Sequence, residues 1–337
     1  MHCRSFVEQI AGKSVNPQFA ARPAHYIGDN ISQQNARASP DLAGIAWVTE
    51  GAALKLANGG SRALKARYLP QLLAGKLIGC SAISEPDVGS SVREMRTRAV
   101  RDGRYFRIRG EKMRTSNASI ADIVMLTARS GEDEFTMFLL DRAEHAFTTH
   151  EIPKLGLNGW SLGQIVLDDV VVPETNVIGQ AGAGLRETMR GFERSRCFVS
   201  TIALGIAQSA LEAGVSYAQT RKQFGKLIAG HQLIQALLAE MATELDAARL
   251  LVYRALWLMT QGQRCELEAA MAKSYATEAA VRIASNAIQV HGAFGISREF
   301  PVERHFRNAR MLTLPDGTTQ INQLIIGRKL TGIDAFR

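Results

Sequence analysis

The chain has 337 residues and a formal net charge of +8, from 40 Lys and Arg against 32 Asp and Glu. With 46% hydrophobic and 21% charged residues, it has the composition of a globular protein with a large core, which excludes a disordered polyelectrolyte. The basic residues are scattered, without a dense Lys/Arg tract or interleaved aromatics, so nucleic acid is not expected as a partner and a solvated basic surface is. No run of roughly 18 uncharged apolar residues is found, the most apolar helical stretch being broken by Arg249 and Arg254, and no membrane span is expected. Met1 to Gly12 carries no apolar signal region, which leaves the cytoplasm as the default address. Cys3, Cys80, Cys197 and Cys265 show no metal or redox spacing and read as idle thiols.

Taken in order, residues 1–79 read as a short helical domain. Arg4 to Ile10 and Pro40 to Ala57 have helical apolar spacing, and Asn58-Gly59-Gly60 supplies the stop. Residues 80–178 read as a β domain, a barrel or sandwich. In Val100 to Ile108, Asp102-Gly103 is expected to form the tight turn of a hairpin, and Ile123 to Ala128, Phe135 to Leu140 and Gln164 to Val172 are further strands. Residues 179–337 read as a helical bundle. From Gln232 to Met259, apolar residues at 234, 237, 241, 245, 248, 252, 255 and 259 form one stripe. A second helix is expected from Leu267 to Val290 and a third from about Thr318 to just before Gly332. The fold class is therefore α+β: helices, then a central β domain, then a four-helix-type bundle.

Four local motifs carry the chemistry. Cys80 to Ser90 is a Ser- and Gly-containing loop after a strand, with Ser84-Glu85-Pro86 inside it. Gly110 to Asn117 includes Lys112, Arg114 and Ser116. Arg221-Lys222-Gln223-Phe224-Gly225-Lys226 follows a helix and offers a planar guanidinium suited to pyrophosphate. The last runs from Gln289-Val290-His291-Gly292 through Pro301 to Arg304 and on to Asp316-Gly317-Thr318-Thr319-Gln320. Pro315-Asp316-Gly317 is also good turn chemistry, and Asp316 or Thr318 can cap the helix behind it.

In order and spacing these motifs resemble the acyl-CoA dehydrogenase superfamily over roughly residues 40–332. The resemblance implies noncovalent FAD and α,β-oxidation of an acyl thioester, with a carboxylate taking the α-proton while hydride leaves the β-carbon. It places Ile83, Ser84, Ser90, Arg114, Ser116, Ala293, Thr318 and Gln320 at the flavin. It places Arg221, Gln223, Phe224 and Gln289 at the FAD of a neighbouring subunit, so a homodimer or homotetramer is expected. Ser90 and Arg196 are placed beside the substrate, and no metal is implied. Asp316 occupies the position where most relatives have the catalytic Glu. The alternative base position of a few relatives falls on Ser195, which cannot serve, and Glu193 is expected to point elsewhere.

Several positions depart from the family pattern. Asp316 is one methylene shorter than Glu, Pro315 replaces a bulky residue, Arg114 replaces a Trp, and Ala293 replaces a Gly. The segment before Pro40 is shorter than the helices that wall the acyl pocket in relatives. These departures point away from housekeeping β-oxidation, toward a small acyl or aminoacyl group on CoA or a carrier protein in specialised metabolism. Electrons would pass to an electron-transfer flavoprotein or to oxygen, and the same chemistry can run as a reduction. Two other readings stand beside this one: a flavin oxidase of the nitroalkane-oxidase type, which uses Asp as its base, and a flavin-binding protein without turnover.

Overall fold

The computed structural model describes residues 33–336. The expected helix over Arg4 to Ile10, the thiol of Cys3 and most of the shortened segment lie outside the described residues. After a short helical stretch at 33–38, α1 (Pro40–Gly59) and α2 (Arg62–Leu73) lead into the sheet. Both start on a serine hydroxyl, Ser39 and Ser61, that accepts from the amide three residues on, as N-caps do.

Eight strands follow: β1 (Gly79–Ala82), β2 (Arg98–Asp102), β3 (Tyr105–Ser116), β4 (Ile123–Arg129), β5 (Phe135–Asp141), β6 (Thr148–Glu151), β7 (Leu162–Pro173) and β8 (Val177–Ile178). They form one sheet in the order β6-β7-β3-β2-β4-β5-β8, with β1 parallel to β4. A single residue pair, Arg98 with Arg129, joins β2 to β4. The two halves therefore turn their inner faces toward one core, which holds Phe106, Ile108, Leu126, Phe138, Ile165 and Val172. β7 alternates buried and open positions, whereas β4 is buried on both faces. The outer face of β4 and β5 packs against Leu56, Tyr68 and Leu72 of the first two helices, which explains the continuous apolar run at 123–126.

The hairpin forms one residue later than expected. Asp102 pairs with Tyr105, and the turn is Gly103-Arg104 with positive φ at Gly103 alone, the sign pattern of a type II′ turn. β3 is irregular twice, around Gly110 and around Arg114. Gly110 has φ +144°, and a Cβ there would lie 2.6 Å from Thr97 Oγ1, so only glycine fits.

The remaining helices are α3 (Gly184–Ala218), α4 (Gln232–Thr260), α5 (Glu266–His291), α6 (Val302–Leu312) and α7 (Thr319–Thr331), with a small β9–β10 hairpin (Lys222–Gln223, Lys226–Leu227) between α3 and α4. α5 is the central member, lined with buried Ala269, Ala272, Ala276, Ala280 and Ala284, which let the neighbouring helices approach closely. The α4 stripe is as expected at its centre, where Met241, Leu245, Ala248, Val252 and Ala255 are buried. The most apolar helical stretch among the described residues nevertheless lies in α3, not α4. It is long and apolar enough to cross a membrane by length and composition, but 67% of its most apolar window is buried in the protein, as in a core helix. Every residue from Arg196 to Ala207 is buried, so this segment has no polar face to reveal a helical period.

Asn117, fully buried at φ +64°, ties these layers together. Its Nδ2 donates to Ile45 O of α1 and Gly79 O of β1, both at 3.1 Å, and its Oδ1 accepts from Trp160 Nε1 at 3.1 Å. Asn is among the few side chains that enter left-handed backbone readily. Asn117→Ala strands an indole N–H and two carbonyls at once, at roughly 1–3 kcal/mol per buried group. We expect a loss of about 3 kcal/mol or more in denaturant unfolding of the FAD-bound protein.

Candidate active site

The first two motifs are halves of one construction. Ser84 O accepts from Met113 N at 2.9 Å, which ties the loop after β1 to β3. Beneath it the buried Lys112 ammonium donates to Glu85 Oε1 and Ile83 O, each at 2.9 Å. Glu85 also receives the amides of Arg96 and Thr97 at 2.5 and 2.9 Å. Burial alone would raise the Glu85 carboxyl, but Lys112 and the amide donors hold it below the usual carboxylate range. Ser84 and Ser116 are left half-buried and Ser90 exposed, and none of their hydroxyls has a side-chain hydrogen-bond partner among the described residues. Arg114, at φ +57° in the β3 irregularity, is exposed.

Asp316 lies in the turn between α6 and α7, at φ +56°, followed by Gly317 at φ +90°. Asp is one of the few side chains that tolerate this region. The backbone around it is held by cations. Lys273 of α5, fully buried, donates to Thr313 O and Gly317 O, each at 2.7 Å, and Arg196 Nε of α3 donates to Asp316 O at 3.2 Å. Among the described residues no cation bonds the carboxylate itself. The Ser195 hydroxyl favours its charged form by hydrogen bonding, and Oδ2 is shut off from solvent without a partner among the described residues. Desolvation raises the Asp316 pKa, while Ser195, Arg196, Lys273 and Lys55 oppose the rise. The same burial brings the Lys273 ammonium down to about 8. Ser195 is therefore the partner of Asp316, and Glu193 points away, bonded to Arg264 and the Cys265 amide. His291 has a structural place, stacked on Tyr217 with ring centroids 4.2 Å apart.

Thr318 caps α7 by accepting from Ile321 N at 3.3 Å. Gln320, expected at the flavin, sits inside the first turn of the helix with an exposed side chain. Ile83, on the loop after β1, is partly buried against Val88, Met95 and Phe135.

The remaining predicted residues form a separate cluster. Gln289 lies sixteen residues beyond Lys273 on α5, about 24 Å along the helix. Beside it, the Arg221 guanidinium stands 5.7 Å from the Phe294 ring, in the same turn as Ala293. Phe224 is 94% exposed at the tip of the β9–β10 hairpin, next to Gln223. The structure thus brings Asp316, Ser195, Arg196 and Thr318 together and sets Arg221, Gln223, Phe224, Gln289 and Ala293 apart from them.

Lys112 falls inside the second motif without a role read for it there, and Lys55 and Lys273 belong to no motif, although Lys273 falls on the same helical face as Ala269, Ala276 and Ala280. A charged residue in register with a buried stripe is the signal that could have found it.

Residues 80–170 match the model of the acyl-CoA dehydrogenase middle domain, and residues 182–331 match that of the C-terminal domain. The chain belongs to the acyl-CoA dehydrogenase family. It is 37% identical to cyclohexane-1-carbonyl-CoA dehydrogenase of Geobacter metallireducens over 279 residues, 82% of this chain and 73% of that protein. It superposes with a TM-score of 0.90 and 30% identity on a glutaryl-CoA dehydrogenase from Mycobacterium smegmatis in complex with FADH2, covering 94% of this chain and 82% of the other. With a prolyl acyl carrier protein oxidase the TM-score is 0.84 at 28% identity, covering 91% and 82%. The protein is an FAD-dependent oxidoreductase that dehydrogenates acyl thioesters.

The residues present fit that cofactor. Four buried side-chain polar atoms lack a partner among the described residues, and three of them, Thr115 Oγ1, Asp316 Oδ2 and Asn322 Oδ1, lie in or beside the second and fourth motifs. Because buried polar groups are paired almost throughout native proteins, such orphans mark where a bound molecule supplies the missing contacts.

Removing one partner of the Lys112–Glu85 pair leaves the other charge buried. Lys112→Met should cost about 3–5 kcal/mol and release FAD, whereas Lys112→Met with Glu85→Leu should recover much of that loss. Denaturant unfolding and flavin absorbance of the purified variants check both.

Proposed function

We propose that Asp316 is the base that removes the α-proton of a small acyl or aminoacyl thioester, carried on CoA or a carrier protein, in specialised metabolism. The observation that carries this reading is the enclosed Asp316 carboxyl with its unpartnered Oδ2. An α-proton of a thioester is weakly acidic, and a carboxylate with one lone-pair face unsatisfied and its pKa raised by burial is a stronger base than one in water. Lys273 and Arg196 bond the carbonyls around Asp316, so the turn is held without quenching the carboxylate. Bound FAD would supply the acceptor for the hydride that leaves the β-carbon. Ser84, Ser116 and Thr318 would hold it from the chain's own site, with Ser90 and Arg196 toward the thioester.

Arg221, Gln223, Phe224 and Gln289 would reach the cofactor of a second copy, because they lie about 24 Å along α5 from the Lys273 that holds the Asp316 turn. The basic surface favours a phosphorylated carrier or an acidic carrier protein. The likeness to a prolyl acyl carrier protein oxidase supports a carrier-bound substrate for this chain also.

Asp316→Asn should keep FAD and ligand binding while slowing flavin reduction by about 10²-fold or more in stopped-flow measurements. Reduction of that variant at the unmutated rate would remove Asp316 from the mechanism. Only the deprotonated carboxylate can act, so the rate should fall as pH drops through a pKa above the ordinary Asp value of about 3.9. Bleaching of the flavin by a nitroalkane, and by no thioester in a screen of CoA and carrier-protein conjugates, would replace this reading with a flavin oxidase. The rates of reoxidation by oxygen and by an electron-transfer flavoprotein identify the acceptor.

Arg221→Ala should weaken FAD retention and assembly together, by roughly tenfold or more, since a charge-assisted contact is lost. Size-exclusion chromatography with flavin absorbance reads both at once. Loss of one without the other would separate the hairpin from the cofactor.

A further inference from the structure

Two rows of side chains face each other beside the Asp316 turn, and together they bound the room left for an acyl group. Helices α1 and α3 run antiparallel there. Trp47 stacks on Phe198 with ring centroids 5.1 Å apart, Glu50 pairs with Arg194 at 2.6 Å, and a Cβ added at Gly191 would meet Lys55 Cε at 3.9 Å. Trp47, Gly51 and Lys55 therefore form one row at helical spacing, and Phe198, Ser195 and Gly191 form the other. The first row is open at its middle, since a Cβ added at Gly51 would touch nothing within 4 Å. By the same register Gly51 falls opposite Ser195, whose hydroxyl bonds the Asp316 carboxyl and whose neighbour Arg196 donates to Asp316 O at 3.2 Å. Trp47, Gly51, Gly191 and Ser195 are each partly open to solvent although they lie where two helices meet, so the rows enclose an accessible slot.

At one end the slot is shut. Trp47 lies flat on Phe198, their planes 9° apart, and meets the edge of Trp160 with centroids 6.2 Å apart. Trp160 is itself fixed. Its Nε1 donates to Asn117 Oδ1 at 3.1 Å, and its ring lies so close to α1 that a Cβ added at Gly44 would come within 2.4 Å of it. Phe198 is only three residues past Ser195, about 4.5 Å along the helix, so this aromatic wall stands close behind the carboxyl. We propose that Trp47, held between Phe198 and Trp160, is the specificity-determining residue that closes the acyl slot and restricts the substrate to short-chain acyl thioesters. This rests on Asp316 acting on a thioester, and it names the group that sets the length. A chain too long for the slot must push aside a stacked indole in a close-packed cluster, which costs more than bending into open space.

The test follows flavin bleaching in the FAD-bound enzyme with straight-chain acyl thioesters from butyryl to dodecanoyl, on CoA and on pantetheine. In the unmutated enzyme kcat/KM should fall by about tenfold or more for each methylene beyond the length that fits. Trp47→Ala should move the optimum to longer chains, gaining roughly 10²-fold on those that the unmutated enzyme rejects, with butyryl thioesters little changed. Trp47→Phe keeps a ring on Phe198 and should move the optimum less. If Trp47→Ala loses its FAD, Phe198→Leu opens the slot from α3 and should shift the profile in the same direction. A merely structural role for Trp47 would lower the rates at every length and leave the optimum in place, and that result overturns the proposal. Fastest bleaching of the unmutated enzyme by dodecanoyl thioesters overturns it too, and leaves the thioester reading standing. No bleaching at any length, by the unmutated enzyme and Trp47→Ala alike, would remove the thioester reading and the proposal together.

Discussion

The buried ion pair between Lys112 and Glu85 is the contact on which the site depends. Taken alone, such a pair adds little stability, because taking two charges out of water costs about as much as their attraction returns. Its value lies in geometry. One ammonium, directed at Glu85 and Ile83 O, and one carboxylate, accepting Lys112 and the amides of residues 96 and 97, fasten the loop after β1 to both β2 and β3. The segment bearing Ser84 is thereby tied down by Glu85, Ile83 O and Ser84 O, although it belongs to no strand among the described residues. The Glu-Pro motif is thus an anchor, and the hydroxyls around it are what the anchor presents.

The Asp316 turn is built on the opposite logic. Here the cations bond the main chain and leave the carboxylate nearly free. A salt bridge to the carboxylate would pull its pKa down and spend its lone pairs, making a poor base. Holding Thr313 O, Asp316 O and Gly317 O instead keeps a left-handed turn in place while burial raises the proton affinity of the side chain. The Ser195 hydroxyl favours the charged carboxylate, and Oδ2 is shut off from solvent without a partner among the described residues.

Helix α5 sets the scale between the two clusters. Its Ala-lined faces pack against α3, α4, α6 and α7, so Lys273 near one end and Gln289 near the other are held by one rigid rod. The exposed Arg221, Gln223 and Phe224 belong to the far end. Their separation from Asp316 is a property of helix rise, and it divides the residues proposed to serve this chain's own site from those proposed to serve a second copy.

Much of this was legible along the chain. The α+β order, the strands at 123–129 and 135–141, the α4 stripe and the stop at Gly332 all follow from local periodicity and turn chemistry, because each depends on residues within a few positions of one another. The motifs around Ser84, Arg221 and Asp316 were equally local, and their order marked the family. What could not be read were relations between distant segments. α3 hid its period because its central segment, Arg196 to Ala207, is buried all round. The hairpin turn shifted by one residue because strand register is decided by pairing across the sheet. The roles of Lys112 and Lys273 arise only once Glu85 and the Asp316 turn are brought beside them. By itself the sequence determined which residues could do the chemistry. The tertiary structure alone decided which of them are desolvated and which charges face which, since burial and through-space electrostatics are properties of packing and not of order along the chain.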